Sequence, residues 1–230
     1  MDIETLNNLV EKIKISADRI LQEEAEVIFL NALAKHKISS KLIFYGGTAL
    51  RLVYGSPRFS EDIDLIQIKK INFSDFRDLV KQTVKDNQNW QLKDVKDKRK
   101  TMFALFLIKD NKLKHAFSIK VEIHKPNKRV KLDKELSLIK SPVSALEPLL
   151  LVPTITELKK LKQESLSKRK KARDVFDLWY ISRLLRENFV LPEKMPKYSE
   201  REFRNELQVF LPKEYYPVIQ QLYEKISRKN

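Results

Sequence analysis

Apolar residues recur at helical spacing from Thr5 to about His36, with Leu6, Leu9, Val10 and Ile13 followed by Ile20, Leu21, Val27, Ile28, Leu30 and Leu33. One or two amphipathic helices are expected there. Lys41-Leu-Ile-Phe-Tyr45 is a short apolar run that stops at Gly46-Gly47, and Thr48 to Tyr54 resumes helical spacing, so the pattern predicts strand, tight turn, helix. Asp62-Ile-Asp-Leu-Ile-Gln-Ile68 alternates as a strand with one buried face does. Ser74 to about Lys85 suits a helix. Thr101–Ile108 and Ala116–His124, separated by Lys109-Asp-Asn-Lys112, suit a hairpin.

The pattern changes after Pro126, where a basic, linker-like stretch runs to Ser141-Pro142. Leu149-Leu-Leu-Val152 fits either a last strand or a helix start, and 156–166, 173–185 and 201–211 are helix candidates punctuated by prolines. The expected fold is α+β: a small mixed sheet flanked by helices in a first domain, 1–140, and a mostly helical second domain, 141–230.

The 230 residues carry 42% hydrophobic positions, enough for a core, and no apolar run of membrane-spanning length. The beginning, Met1-Asp-Ile-Glu4, lacks the basic-then-apolar plan of a signal peptide, so a cytoplasmic location without membrane association is expected. Absence of cysteine excludes disulfides, thiolate catalysis and cysteine-ligated metals. His36, His115 and His124 are too scattered for a histidine-built metal site. Forty-six Lys+Arg against 31 Asp+Glu give a net charge of +15, which suits a polyanionic partner such as nucleic acid or nucleotide.

All three glycines, Gly46, Gly47 and Gly55, lie within ten residues, just upstream of Asp62 and Asp64. A glycine pair between a strand and a helix lets backbone N–H groups approach an anion, and the helix start adds partial positive charge. Asp62 and Asp64, about 6.6 Å apart along a strand, share one face, and a metal cation is the usual remedy for such a pair. Glu122, in the alternating run Ile119–Ile123, is a third candidate carboxylate; on a neighbouring strand it would complete a two-ion site. Neither a Walker A sequence nor a Gly-x-Gly-x-x-Gly fingerprint is present.

Phe44-Tyr-Gly-Gly-Thr-Ala-Leu-Arg51, followed by Tyr54-Gly-Ser-Pro-Arg-Phe-Ser-Glu-Asp-Ile-Asp-Leu65, resembles the signature of the AbiEii/AbiGii-type toxin family, within the polymerase-β-like minimal nucleotidyltransferases. Lys168-Arg-Lys-Lys-Ala-Arg-Asp-Val-Phe-Asp-Leu-Trp179 resembles the family's downstream Arg-Asp-x-x-Asp-Leu helix, itself preceded by a lysine-bearing helix. Lys162 is the choice for that lysine, with Lys159 and Lys160 as alternatives. Thr48 stands where many members have serine, and Glu122 where many have aspartate; the resemblance rests on no motif within residues 186–230.

The resemblance implies Mg²⁺-dependent transfer of a nucleoside monophosphate from a nucleoside triphosphate to a hydroxyl, with pyrophosphate leaving, by the toxin of a toxin–antitoxin or phage-defence pair. It implies that Gly46, Gly47, Thr48 and Ser60 hold the triphosphate and that Asp62, Asp64 and Glu122 hold two Mg²⁺, or Mn²⁺. Lys162 and Arg173 would meet triphosphate charge, with Asp174 and Asp177 orienting them or touching the nucleotide. Arg51 and Arg58 either reach phosphate or pair with an acid such as Glu61. RNA, such as tRNA, is the favoured acceptor and an antitoxin a further partner; a protein or small-molecule acceptor, or an idle binding module, are the alternatives. Between Lys159 and Arg173 lie eight basic residues and one acid; with the lysines between 93 and 134 they form the candidate phosphate track. Trp90 and Trp179 are expected to pack rather than to stack on bases.

Overall fold

A computed structural model describes residues 1–128, 130–192 and 196–228. The N-terminal pattern resolves into two helices, α1 (Ile3–Ile13) and α2 (Ala17–Lys35). Asp2 caps α1 by accepting from the Thr5 N–H, and Lys14 ends it in a left-handed conformation. β1 (Leu42–Tyr45) runs directly into α3 (Gly46–Leu52), and β2 (Asp62–Gln67) and α4 (Phe73–Asp86) follow.

The expected hairpin is present as β4 (Thr101–Ile108) and β5 (Phe117–His124), and is preceded by a strand the pattern did not announce, β3 (Trp90–Asp97). Its register shifts between Leu92 and Asp94, so the period-2 signal breaks inside it, and four of its eight residues are charged. The five strands lie in the order β1-β2-β5-β4-β3. Only the β2–β5 pair is parallel.

One face of this sheet carries the main core. Phe29, Leu30 and Leu33 of α2 and Phe76, Leu79 and Val80 of α4 meet Ile63, Leu65, Ala104, Phe106, Ile119, Val121 and Ile123 there. Trp90 lies in the same core, its ring edge-on to Phe106 at 5.2 Å between centroids. Trp179 likewise packs, against Phe176 at 5.3 Å.

One expectation for the middle of the chain is corrected. The stretch after Pro126 contains β6 (Lys134–Leu138), which pairs antiparallel with β7 (Leu149–Pro153). Residue 140, where the domain boundary is expected, lies between these two strands, and Ile139, Leu150 and Val152 belong to the main core. The signal was weak because most of β6 is exposed and only β7 contributes an apolar run.

Beyond it come α5 (Ile155–Lys168), α6 (Ala172–Leu184), α7 (Glu200–Gln208) and α8 (Tyr216–Ser227). A second buried cluster joins α6, α7 and α8 through Phe176, Leu178, Phe203, Leu207, Ile219, Leu222 and Ile226. Pro217, which reads as a break in the sequence, sits in the first turn of α8, where its missing N–H costs nothing. The helical part is tied back to the loop before β2 by the Phe59 N–H donating to the Phe210 carbonyl at 2.8 Å.

Candidate active site

Alternation on β2 buries Ile63 and Leu65 and turns Asp62 and Asp64 to the other face. Parallel register then sets Lys120 of β5 beside Asp62, and Glu122 beside Asp64. The three carboxylates expected to act together thus stand on adjacent strands of one face. A cavity of about 270 Å³ opens over them, bounded by Tyr45, Gly46 and Gly47 on one side and by Leu158, Leu161, Lys162, Ser165, Arg169, Arg173 and Asp174 on the other.

The glycines are required by this closeness. Gly46 has φ of +89°, and a Cβ there would lie 2.5 Å from Asp64 Oδ2. A Cβ on Gly47 would lie 2.5 Å from Arg58 Nη2 and 2.9 Å from Ser60 Oγ. Thr48 is fully buried, and its hydroxyl donates to the Asp62 carbonyl at 2.5 Å, tying the turn to the carboxylate strand. It does not line the cavity.

Beneath the cavity lies a buried charge network. Arg58 donates twice to Asp177, at 2.7 and 2.8 Å, and once to its neighbour's carbonyl, that of Phe59. Lys162 Nζ lies 2.6 Å from Asp177 and 3.4 Å from Asp174. Burial alone would push the Asp177 carboxyl up; Arg58 and Lys162 outweigh it and hold it down at about 2. Asp174 also accepts two bonds from Arg169, at 2.8 and 3.0 Å, so Arg169 is held at the cavity edge. Arg173 reaches Glu206 at 3.3 Å and Glu61 at 3.5 Å, its guanidinium 4.8 Å from the centre of the Phe210 ring.

Among the residues predicted from sequence, Gly46, Gly47, Arg58, Ser60, Asp62, Asp64, Glu122, Lys162, Arg173 and Asp174 line the cavity. Asp177 lies behind it, fully buried. Arg51 is elsewhere: it pairs with the buried Glu23, donates to the Ser56 and Pro57 carbonyls, and stacks over Phe59. Of its two expected roles, phosphate contact or an acid pair, the structure holds the acid pair, with Glu23 rather than Glu61 as partner. Beside Glu23, the fully buried Glu26 is pushed well above the usual carboxylate range, by burial first and then by the Glu23 and Asp62 charges.

Lys120 and Arg169, which the sequence places only in the broad basic track, are cavity residues. Lys120 shares the face of Glu122 at i and i+2, a signal available once that run was read as a strand. Its ammonium lies 3.0 Å from Asp62 and 3.4 Å from Glu122. Those two acids outweigh burial and hold it above the ordinary lysine range. Burial, then the Asp62 charge, pushes the Asp64 carboxyl up to about 6.

The hard oxygen donors Asp62, Asp64 and Glu122 suit a divalent cation in chemistry. As they stand, no three acidic or imidazole groups among the described residues converge closely enough to hold an ion. Lys120 meanwhile supplies positive charge between two of them.

Solved structures that resemble the chain include the following two. JHP933 from Helicobacter pylori is 19% identical with a TM-score of 0.57, over 94% of this chain and 96% of that one. MenT4, a nucleotidyltransferase toxin of Mycobacterium tuberculosis H37Rv, is 17% identical with a TM-score of 0.57, over 92% of this chain and 84% of that one. At such identities the likeness establishes the fold. No curated protein sequence matches the chain. A family model described as nucleotidyl transferase AbiEii toxin, type IV toxin–antitoxin system, matches residues 28–229, which hold the glycine turn, the three carboxylates and the Lys162–Asp177 network. The chain therefore belongs to the AbiEii nucleotidyltransferase toxin family.

Proposed function

We propose that this toxin nucleotidyltransferase transfers a nucleoside monophosphate from a nucleoside triphosphate to a hydroxyl of RNA, such as tRNA, in a Mg²⁺-dependent reaction. The observation that carries the reading is the row Asp62, Asp64 and Glu122 facing the Gly46-Gly47 turn across one cavity whose other wall is basic. Backbone amides of the turn hold the triphosphate tail, with the Ser60 hydroxyl beside them. Arg169 and Arg173 meet its charge from the helical wall, while Lys162 is held in place by Asp174 and Asp177. Asp62, Asp64 and Glu122 would hold Mg²⁺, or Mn²⁺, which would supply charge neutralisation on the phosphates and acidify the acceptor hydroxyl. In-line attack on the α-phosphorus releases pyrophosphate, with the rate coming from positioning and electrostatics. An antitoxin encoded as the other half of the pair would restrain the activity.

The test incubates the protein with Mg²⁺, total cellular RNA and each labelled nucleoside triphosphate in turn, beside an Asp62→Ala/Asp64→Ala variant. Label entering RNA with the wild type alone supports the reading and names the nucleotide. Label entering protein replaces RNA as acceptor. Triphosphate binding without label in any acceptor, RNA included, overturns the transfer reaction.

A further inference from the structure

The open face of the sheet does not end at the carboxylates. Register continues the row Asp64–Glu122 to Phe103 of β4 and Lys96 of β3, and the row Asp62–Lys120 to Leu105 and Asp94. Leu107, opposite Ser118, extends the apolar stripe by one more position. Phe103, Leu105 and Leu107 are only partly buried, whereas the residues alternating with them, Met102, Ala104, Phe106 and Ile108, are all core. None of the three belongs to a buried apolar cluster of the described residues.

Cations border this stripe. Lys98 Nζ sits 4.8 Å from the centre of the Phe103 ring, and Arg99 and Lys100 are exposed on the same turn between β3 and β4. A second cavity, of about 660 Å³, adjoins the first by sharing Asp62 and Lys120, and it reaches the stripe at Leu105.

We propose that this stripe is the platform for a single-stranded RNA end, a proposal that rests on the transferase reading above. An aromatic ring beside long apolar side chains, edged by lysine and arginine, is the composition on which unpaired bases stack while their phosphates meet cations. A protein partner would fit the apolar stripe alone; the basic turn beside it, on a chain of net charge +15, favours a polyanion. Neighbouring strands are about 4.8 Å apart, so Phe103 stands one spacing from Glu122 and two from Asp64. A base stacked on Phe103 brings its ribose hydroxyls over the carboxylate rows. The second cavity gives the end of the strand a route to Asp62 that leaves the triphosphate cavity free, as opposite-side approach to the α-phosphorus requires.

The test measures binding of a short, unstructured, fluorescein-labelled RNA with a free 3′ hydroxyl, by anisotropy across a salt series. Phe103→Ala should weaken binding by about 5–100-fold at fixed salt, and Phe103→Trp should retain it. Arg99→Glu with Lys100→Glu should flatten the dependence of log K on log salt by about 1 to 2. Nucleoside triphosphate affinity should stay unchanged in all of these variants, because none of the residues lines the first cavity, and thermal melts check that each variant folds.

RNA affinity within twofold of wild type in folded Phe103→Ala overturns the proposal, as does absence of RNA binding by the wild type at low salt. A Phe103→Ala variant that keeps RNA binding intact but dissolves a dimer or releases a protein partner overturns it too. The transferase and the platform separate cleanly. Phe103-dependent RNA binding without nucleotide transfer keeps the platform and removes the reaction; transfer to RNA with unchanged RNA KM in Phe103→Ala does the reverse.

Discussion

Arg58, in the loop before β2, and Asp177, on α6, form a two-pronged ion pair with both side chains buried, at 2.7 and 2.8 Å. This pair joins the carboxylate strand to the helical wall of the cavity across 119 residues of sequence. Losing either partner leaves an uncompensated charge in the interior. Arg58→Ala and Asp177→Ala should each destabilise the fold by about 3–5 kcal/mol, measured by urea denaturation at neutral pH. A loss below about 1 kcal/mol in both would mean the pair does not hold the two parts together.

Acid should act through the same carboxyl. Asp177 is held at about 2 against an ordinary 3.8, so the unfolded chain binds its proton more readily than the folded one. The pair's contribution is complete above about pH 4 and declines as pH falls toward 2. It amounts to about 2 kcal/mol. The wild type should therefore lose stability over that window more steeply than Asp177→Asn, compared by denaturation midpoints at successive pH values.

Arg51 separates a structural residue from a binding one. Arg51→Ala should cost about 3–5 kcal/mol by stranding the buried Glu23. Below its melting temperature the variant should still bind nucleoside triphosphate within about threefold of wild type, read by calorimetric titration. A selective collapse of nucleotide affinity in a stably folded Arg51→Ala would return this residue to the phosphate site.

The glycine turn has no room for a methyl group. Gly46→Ala combines a left-handed backbone with a clash on Asp64, and Gly47→Ala presses on the Arg58 guanidinium and the Ser60 hydroxyl. Both should lower nucleotide affinity, Gly46→Ala more, with a backbone cost of about 1–3 kcal/mol in stability as well. Nucleotide titrations beside thermal melts check this, and wild-type affinity in Gly46→Ala would exclude the turn from the triphosphate site.

Lys120 offers a check on divalent-cation binding that needs no turnover. With its ammonium gone, Asp62 and Glu122 face each other without a positive neighbour. Lys120→Met should melt lower than wild type without metal, by roughly 1 kcal/mol of stability because the site is partly exposed. Added Mn²⁺ should raise its Tm by more than it raises that of the wild type. Equal Mn²⁺ stabilisation of the two proteins would show that Lys120 and the ion do not compete for the same acids.

The elements nearest the site were the most legible ones. β5 and the first four residues of β2 alternate in sequence because one face is buried under α2 and α4 while the other is polar, whereas β4 reads as an apolar run whose burial, but not its hydropathy, alternates. β3 is an edge strand with a register shift, β6 is a mostly exposed half of a hairpin, and α8 opens on a proline. In each of these the local pattern is blurred by a feature that only neighbouring elements make tolerable.

The sequence by itself determined the carboxylate pair, the glycine turn and the family signature, because each depends on spacings of a few residues along one strand or turn. Asp62 and Asp64 had to share a face by the geometry of any strand. Which other side chains met them was decided by parallel pairing of β2 with β5 and by the return of α5 and α6 over the sheet, contacts between residues far apart in the chain. That is why Lys120 and Arg169, read only as part of a broad basic track, line the cavity, while Arg51, one turn from the glycines, pairs with Glu23. A guanidinium binds whichever carboxylate the packed structure presents, and chain spacing alone does not specify that partner.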